Sequence, residues 1–277
     1  MSDEAPDAMN SVYQHAAEVI GEAEGIFLTA GAGMGVDSGL PDFRGDAGFW
    51  RAYPLLESEG LGFQDLANPQ WFESDPERAW GFYGHRYALY KVTQPHAGYG
   101  ILRQWVEGRE HFVFTSNVDG HFQRAGFDSV YECHGSIRHL QCVRACTEAI
   151  WPMDELGFEV CEERLRADGD LPRCPHCGGL ARPNILMFGD YHWLHQRSEG
   201  QYDQLEDWRW KMRGKKVVTI EMGAGTAIPT VRLASEKMPG TTVRINPREA
   251  DGGSEVLSVA SGAYEALQRI NTLFEGA

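Results

Sequence analysis

No run of apolar residues in this chain approaches the ~18 that a membrane-crossing helix needs. The first ten residues, MSDEAPDAMN, have neither the basic start nor the apolar core of a secretory signal. Basic residues are scarce: 25 Lys and Arg stand against 40 Asp and Glu, a formal charge of −15. Nucleic acids and anionic lipid surfaces are bound by basic footprints, so neither is expected as a direct partner. The acidity does not exclude a basic peptide. Repeats, low-complexity tracts and long flexible linkers are also missing. Six cysteines are present, at 133, 142, 146, 161, 174 and 177. Without an export signal, metal binding or free thiols is a better reading of them than three disulfides. The expected location is the cytoplasm, with no membrane attachment.

The 277 residues suffice for one large domain and a smaller module. The sequence reads as a helix over 9–22, then a short apolar run at 26–30 that ends in glycines, as a buried strand feeding a turn does. Helices follow over 76–92, with Pro76 in the first turn, and over 97–107. Strand signals recur at 111–115, 215–220 and 241–245, and the last 15 residues form an amphipathic helix. Strands alternating with helices imply an α/β fold, a parallel sheet covered on both faces with ligands beyond the carboxyl ends of its strands. Two stretches break the alternation. Residues 45–95 are rich in aromatics, Gly and Pro, as an inserted lid would be. Residues 137–183 carry five of the six cysteines, as a metal-stapled module would.

Six motifs carry chemistry. Gly31-Ala32-Gly33-Met34-Gly35 follows the first strand, where glycines let backbone approach a pyrophosphate and the next helix offers its amino terminus. A tight strand-to-helix turn explains the glycines equally well. The run continues through Asp42, Phe43 and Arg44, an arginine loop suited to neutralising a phosphate. Ser116, Asn117 and Asp119 sit at a strand's carboxyl end, facing the ligand crevice or closing an Asx turn. His134-Gly135-Ser136 offers a base with a pKa near neutrality. Cys142-x-x-x-Cys146 and Cys174-x-x-Cys177 suit tetrahedral zinc, with Cys161 or His176 as substitute ligands. Residues 182–190, RPNILMFGD, read as a buried strand ending in a turn.

The run GAGMGVDSGLPDFRG, followed in order by the other motifs, resembles the NAD-binding signature of the sirtuins, and the resemblance extends from about residue 18 to about 270. It implies a Rossmann-like NAD-binding domain over 1–45, 96–136 and 184–277, a helical lid insertion over 46–95 and a zinc-binding module over 137–183. It implies that the NAD phosphates lie near Gly31, Ala32, Gly33 and Arg44, and that Ser116, Asn117 and Asp119 hold the nicotinamide ribose. His134 is implied as the general base, and Ile185, Met187 and Phe188 as contacts of an acyl-lysine peptide. Gly223, Gly225 and Asn246 resemble the family's later cofactor contacts. The chain departs from the family's usual residues at Gly35 and Ser116, in the spacing of the first cysteine pair, and in the segment after Gly223, where the serine is not in its usual place.

Ala67, Tyr83 and Arg86 resemble the subgroup that removes acidic acyl groups such as succinyl and malonyl. The chemistry fits: Arg offers a fork of donors to a carboxylate and Tyr adds a hydroxyl, both on one helical face. A helix that simply buries Tyr83 and leaves Arg86 in solvent is the plainer alternative. The expected activity is NAD-dependent deacylation of lysine, giving nicotinamide and O-acyl-ADP-ribose. The same cleavage would also serve a mono-ADP-ribosyltransferase or an NAD glycohydrolase.

Overall fold

The computed structural model describes residues 4–41 and 45–275. Its strands, in chain order, are β1 (Gly25–Ala30), β2 (Glu110–Thr115), β3 (Val130–Glu132), β4 (Gly135–Cys142), β5 (Ile150–Pro152), β6 (Phe158–Cys161), β7 (Arg166–Gly169), β8 (Ala181–Ile185), β9 (Val217–Met222), β10 (Thr241–Ile245) and β11 (Val256–Val259). Six of them form one parallel sheet in the order β11-β10-β9-β1-β2-β3. This is the order of the doubly wound dinucleotide-binding fold, whose chain reverses direction across the sheet at β1 and β9.

β1 and β9 are buried along their whole length because both faces are covered. Ile26 and Leu28 join Ile20, Leu102 and Leu267 in one core, from the helices Glu4–Gly21, Ala97–Val106 and Ala263–Glu275. Phe27, on the opposite face, joins Leu205, Trp208 and Val231, from the helices Gln196–Lys211 and Thr230–Glu236. Alternation along one strand therefore feeds two cores.

The strand read at 215–220 begins at Val217. Lys215 and Lys216 stay exposed, and Lys216 pairs with Glu22 before the strand starts. The first helix begins at Glu4, upstream of the position expected.

Between the sheet's strands the chain builds a second body. Its helices Gly45–Ala52, Pro54–Ser58, Phe63–Leu66, Trp71–Ser74 and Pro76–Val92 pack against the antiparallel pairs β4-β5, β4-β8 and β6-β7. The longest helix is capped by Asp75, which accepts from the Arg78 backbone N–H and binds both terminal nitrogens of Arg166 at 2.8 Å. Gly81 brings this helix against β6-β7 so closely that a Cβ there would lie 2.1 Å from the Leu165 carbonyl. Trp80 is fully buried and donates to the Ala181 carbonyl at 3.1 Å. Both interruptions of the alternation thus share one aromatic core. Among the described residues no helix is long and apolar enough to cross a membrane.

Candidate active site and metal centre

The carboxyl ends of β1, β2, β9 and β10 are stitched together by backbone. Gly31 N–H donates to the Met222 carbonyl, Gly33 N–H to Gly223, Gly223 N–H to Ile245 and Ser116 N–H to Ala30, at 3.0, 3.1, 2.9 and 3.2 Å. A Cβ on Gly31 would lie 2.8 Å from the Gly223 carbonyl, so glycine is required where the two turns meet. Gly223 itself has φ +60, a conformation that favours glycine. The helix after Gly31 is a single turn, Gly33–Val36, so the expected helix amino terminus facing a phosphate is replaced by a short cradle of turns. Ala32 is exposed at its rim, and Gly225 is half-buried on the opposite turn.

Asn117 donates its side-chain amide to the Gly31 carbonyl at 3.0 Å, tying the end of β2 to the glycine turn. Asp119 is buried and accepts from the His121 backbone N–H at 2.8 Å, closing the Asx turn that the sequence allows. Asn246 donates to the Ala224 carbonyl at 2.7 Å and caps its own loop by accepting from the Arg248 and Glu249 backbone. Of the residues expected to hold cofactor, Gly31, Gly33, Asn117, Gly223 and Asn246 are therefore tied together by hydrogen bonds at the carboxyl edge of the sheet, where strand order reverses. Asp42, Phe43 and Arg44 lie outside the described residues.

His134 occupies the turn between β3 and β4 and is half-buried. Burial lowers its pKa below the ordinary histidine value, which keeps the ring neutral and able to accept a proton. Its carbonyl accepts from the Leu186 N–H at 3.0 Å, and Gly135, at φ +77, packs so that a Cβ would lie 2.1 Å from the Asn184 carbonyl. The histidine turn is thereby fixed to the end of β8, which carries Ile185, and to the segment just beyond it with Met187 and Phe188. Ile185 and Met187 are buried, while Leu186 and Phe188 are 39% and 37% exposed, open to an incoming chain. Arg182 and Asp190 brace this segment with two 2.8 Å bonds. The sequence gives no signal for one further brace. Buried Glu132, just before the histidine turn, binds Arg197 at 2.5 Å. Burial raises the Glu132 pKa, with Arg197 opposing it.

Phe188 N–H donates to the Ala67 carbonyl at 2.8 Å, and its ring meets Phe63 edge-on. Phe63 in turn lies 5.8 Å from the Arg86 guanidinium carbon, as do Phe82 and Tyr83 at 5.3 and 5.6 Å. Ala67, Tyr83 and Arg86 are thus linked through Phe63 and Phe188 beside the segment at 185–188. Arg86 is 5% exposed, so the picture of a solvent-facing arginine does not hold. The buried hydroxyl of Tyr83 has no hydrogen-bond partner among the described residues, and burial pushes its pKa up to about 12. An O–H donor with nothing to donate to marks a place for an acceptor.

Cys142, Cys146, Cys174 and Cys177 converge with all sulfurs within 4.8 Å of one another. The closest pairs, Cys142–Cys177 and Cys146–Cys174, are 3.7 and 3.6 Å apart. These separations are too long for a disulfide but match the edge of a zinc–thiolate tetrahedron, about 3.8 Å for bonds of about 2.3 Å. The cluster could hold one such ion and leaves no open position. The longer spacer in the first pair is absorbed by Ala145, at φ +45. Cys161 lies on β6, outside the cluster, and His176 is likewise not among the convergent ligands, so neither is a substitute.

A model of the Sir2 family matches residues 31–207. A protein of Saccharolobus solfataricus named NAD-dependent protein deacetylase is 32% identical over 180 residues, 65% of this chain and 66% of its own. The match therefore spans just under two thirds of that relative. A Mycobacterium tuberculosis protein named NAD-dependent protein deacylase is 30% identical over 256 residues, 87% of this chain and 94% of its own. A solved Sir2 homologue in complex with ADP-ribose superposes with a TM-score of 0.69 at 26% identity, over 95% of this chain and 96% of that one.

Proposed function

Because this chain belongs to the Sir2 family, we propose that it removes acyl groups from lysine side chains with NAD as co-substrate, and that it prefers acidic acyl groups such as succinyl or malonyl. The observation that carries the first part is the meeting of two features at one sheet edge. The glycine turn held by Asn117 lies at the strand-order reversal, and the His134 turn is bonded to the segment at 185–188. A cofactor crevice and a peptide edge then flank one neutral histidine.

In this reading Gly31, Ala32, Gly33, Gly223 and Gly225 give backbone to the phosphates, and Asn246 serves the adenosine end. Asn117 and Asp119 position the nicotinamide ribose. A peptide adds as a strand beside 185–188, a mode that reads main chain more than side chains. Its acyl-lysine reaches the ribose past Met187 and Phe188. The acyl oxygen would bond to the ribose carbon as that carbon's bond to nicotinamide breaks. His134 would then accept a proton through the ribose hydroxyls as a second hydroxyl attacks the amide carbon, and water would complete release of the lysine and of O-acyl-ADP-ribose. Relatives named for deacylation favour this chemistry over transfer of ADP-ribose to protein or water.

The acidic preference rests on the Tyr83 hydroxyl and the Arg86 guanidinium, both buried among aromatic rings, which together supply donors for a carboxylate. The test is to incubate the protein with NAD and matched acetyl-, succinyl- and malonyl-lysine peptides and to follow products by mass spectrometry. Faster loss of the acidic groups, with the matching O-acyl-ADP-ribose, supports both parts. Faster acetyl loss sinks the preference alone. Nicotinamide release with every peptide unchanged sinks deacylation.

A further inference from the structure

The Pro76–Val92 helix places one more residue against Arg86. Tyr90 follows Arg86 by one helical turn and is 7% exposed. Its hydroxyl oxygen accepts two hydrogen bonds from that arginine, from Nε at 3.2 Å and Nη2 at 3.0 Å. The geometry points to Tyr90 as a positioning residue that aims the Arg86 guanidinium at an acidic acyl group and so sets acyl selectivity. This inference rests on the acidic-acyl reading above.

An arginine side chain is long, and its planar fork binds a carboxylate well only in one orientation. The rings of Phe63, Phe82 and Tyr83 hold the cation by its charge. Such contacts fix where the group sits more than how it is turned within its plane. The paired bonds to Tyr90 supply the missing direction. They occupy the Nε edge, so a carboxylate meets the terminal edge of the fork. Burial also raises the Tyr90 pKa, so the hydroxyl stays protonated at working pH. Tyr90 is itself anchored, because Arg124 Nη1 donates to its carbonyl at 2.8 Å and to that of Thr93 at 2.6 Å. Arg124 closes the short helix His121–Arg124 that follows Asn117 and Asp119. The acyl pocket is therefore referenced to the cofactor side of the crevice.

Tyr90→Phe deletes one oxygen and keeps the ring, so packing is retained. The experiment measures kcat/KM of the wild type, Tyr90→Phe and Arg86→Met with matched acetyl- and succinyl-lysine peptides and NAD. Tyr90→Phe should lower the succinyl-to-acetyl ratio about tenfold, chiefly through KM for the succinyl peptide. A general loss of structure would instead lower both activities together. An unchanged ratio in Tyr90→Phe, with the ratio collapsed in Arg86→Met, overturns the role of Tyr90 while leaving the acidic pocket standing. An unchanged ratio in both variants overturns the acidic pocket and this inference with it.

Discussion

The side-chain amide of Asn117 donates to the carbonyl of Gly31 at 3.0 Å, across 86 residues of chain. One bond thus joins the end of β2 to the glycine turn after β1. Asn117→Asp replaces the donor by an acceptor, setting two oxygens against each other. The expected result is a loss of about 1–3 kcal/mol of stability and a far larger fall in NAD turnover. Thermal melting and nicotinamide release check the two parts.

The pH profile should carry the signature of His134. Its pKa is lowered from 6.5 by burial, so the reactive neutral form persists below that pH. The acid limb of kcat/KM should therefore have its midpoint under 6.5, and activity should fall as pH drops through it. His134→Asn should abolish turnover at every pH, because no proton acceptor remains, while NAD affinity holds within a few fold. An acid limb centred above the ordinary histidine value would remove His134 from the base role.

Much of this was legible along the chain because the determinants are local. Glycines at 31 and 33, the strand end at 115–119 and the turn at 134–136 each sit within a few residues of the strand that presents them. Alternating strands and helices gave the parallel sheet for the same reason. What depended on distant partners was not legible. Glu132 and Arg197 are 65 residues apart, and nothing near either announces the pair. Tyr90 could have been found, since its i+4 spacing from Arg86 is visible, but one tyrosine among ten gives no reason to choose it. The two cysteine pairs read from the sequence do converge, yet setting Cys161 apart from them needed the fold, which carries it away on β6.

The thiolate cluster predicts a structural metal. Purified protein should contain about one zinc per chain, and a strong chelator should lower its melting temperature. Cys174→Ala should lose the metal, because the 3.6 Å Cys146–Cys174 edge disappears with it. Cys161→Ser should keep the metal. Elemental analysis of the three proteins separates these outcomes, and equal metal loss from Cys161→Ser would contradict the ligand set.

Arg182 and Asp190 offer the sharpest test of how the proposed peptide edge is held. Their side chains are 1% and 0% exposed and meet through two bonds of 2.8 Å. Asp190 also reaches the Met187 and His192 backbone N–H groups, at 3.4 and 3.2 Å, so it orders the turn just beyond β8. Arg182→Met strands a buried carboxylate and should cost about 3–5 kcal/mol. Arg182→Met combined with Asp190→Asn removes both charges and should recover a large part of that loss. Recovered stability need not restore function, because the double variant loses the arginine's bonds and weakens the carboxamide's hold on the turn. Melting temperature should therefore rise from single to double variant while KM for the peptide stays raised. Full recovery of KM along with stability would show that the ion pair serves folding alone.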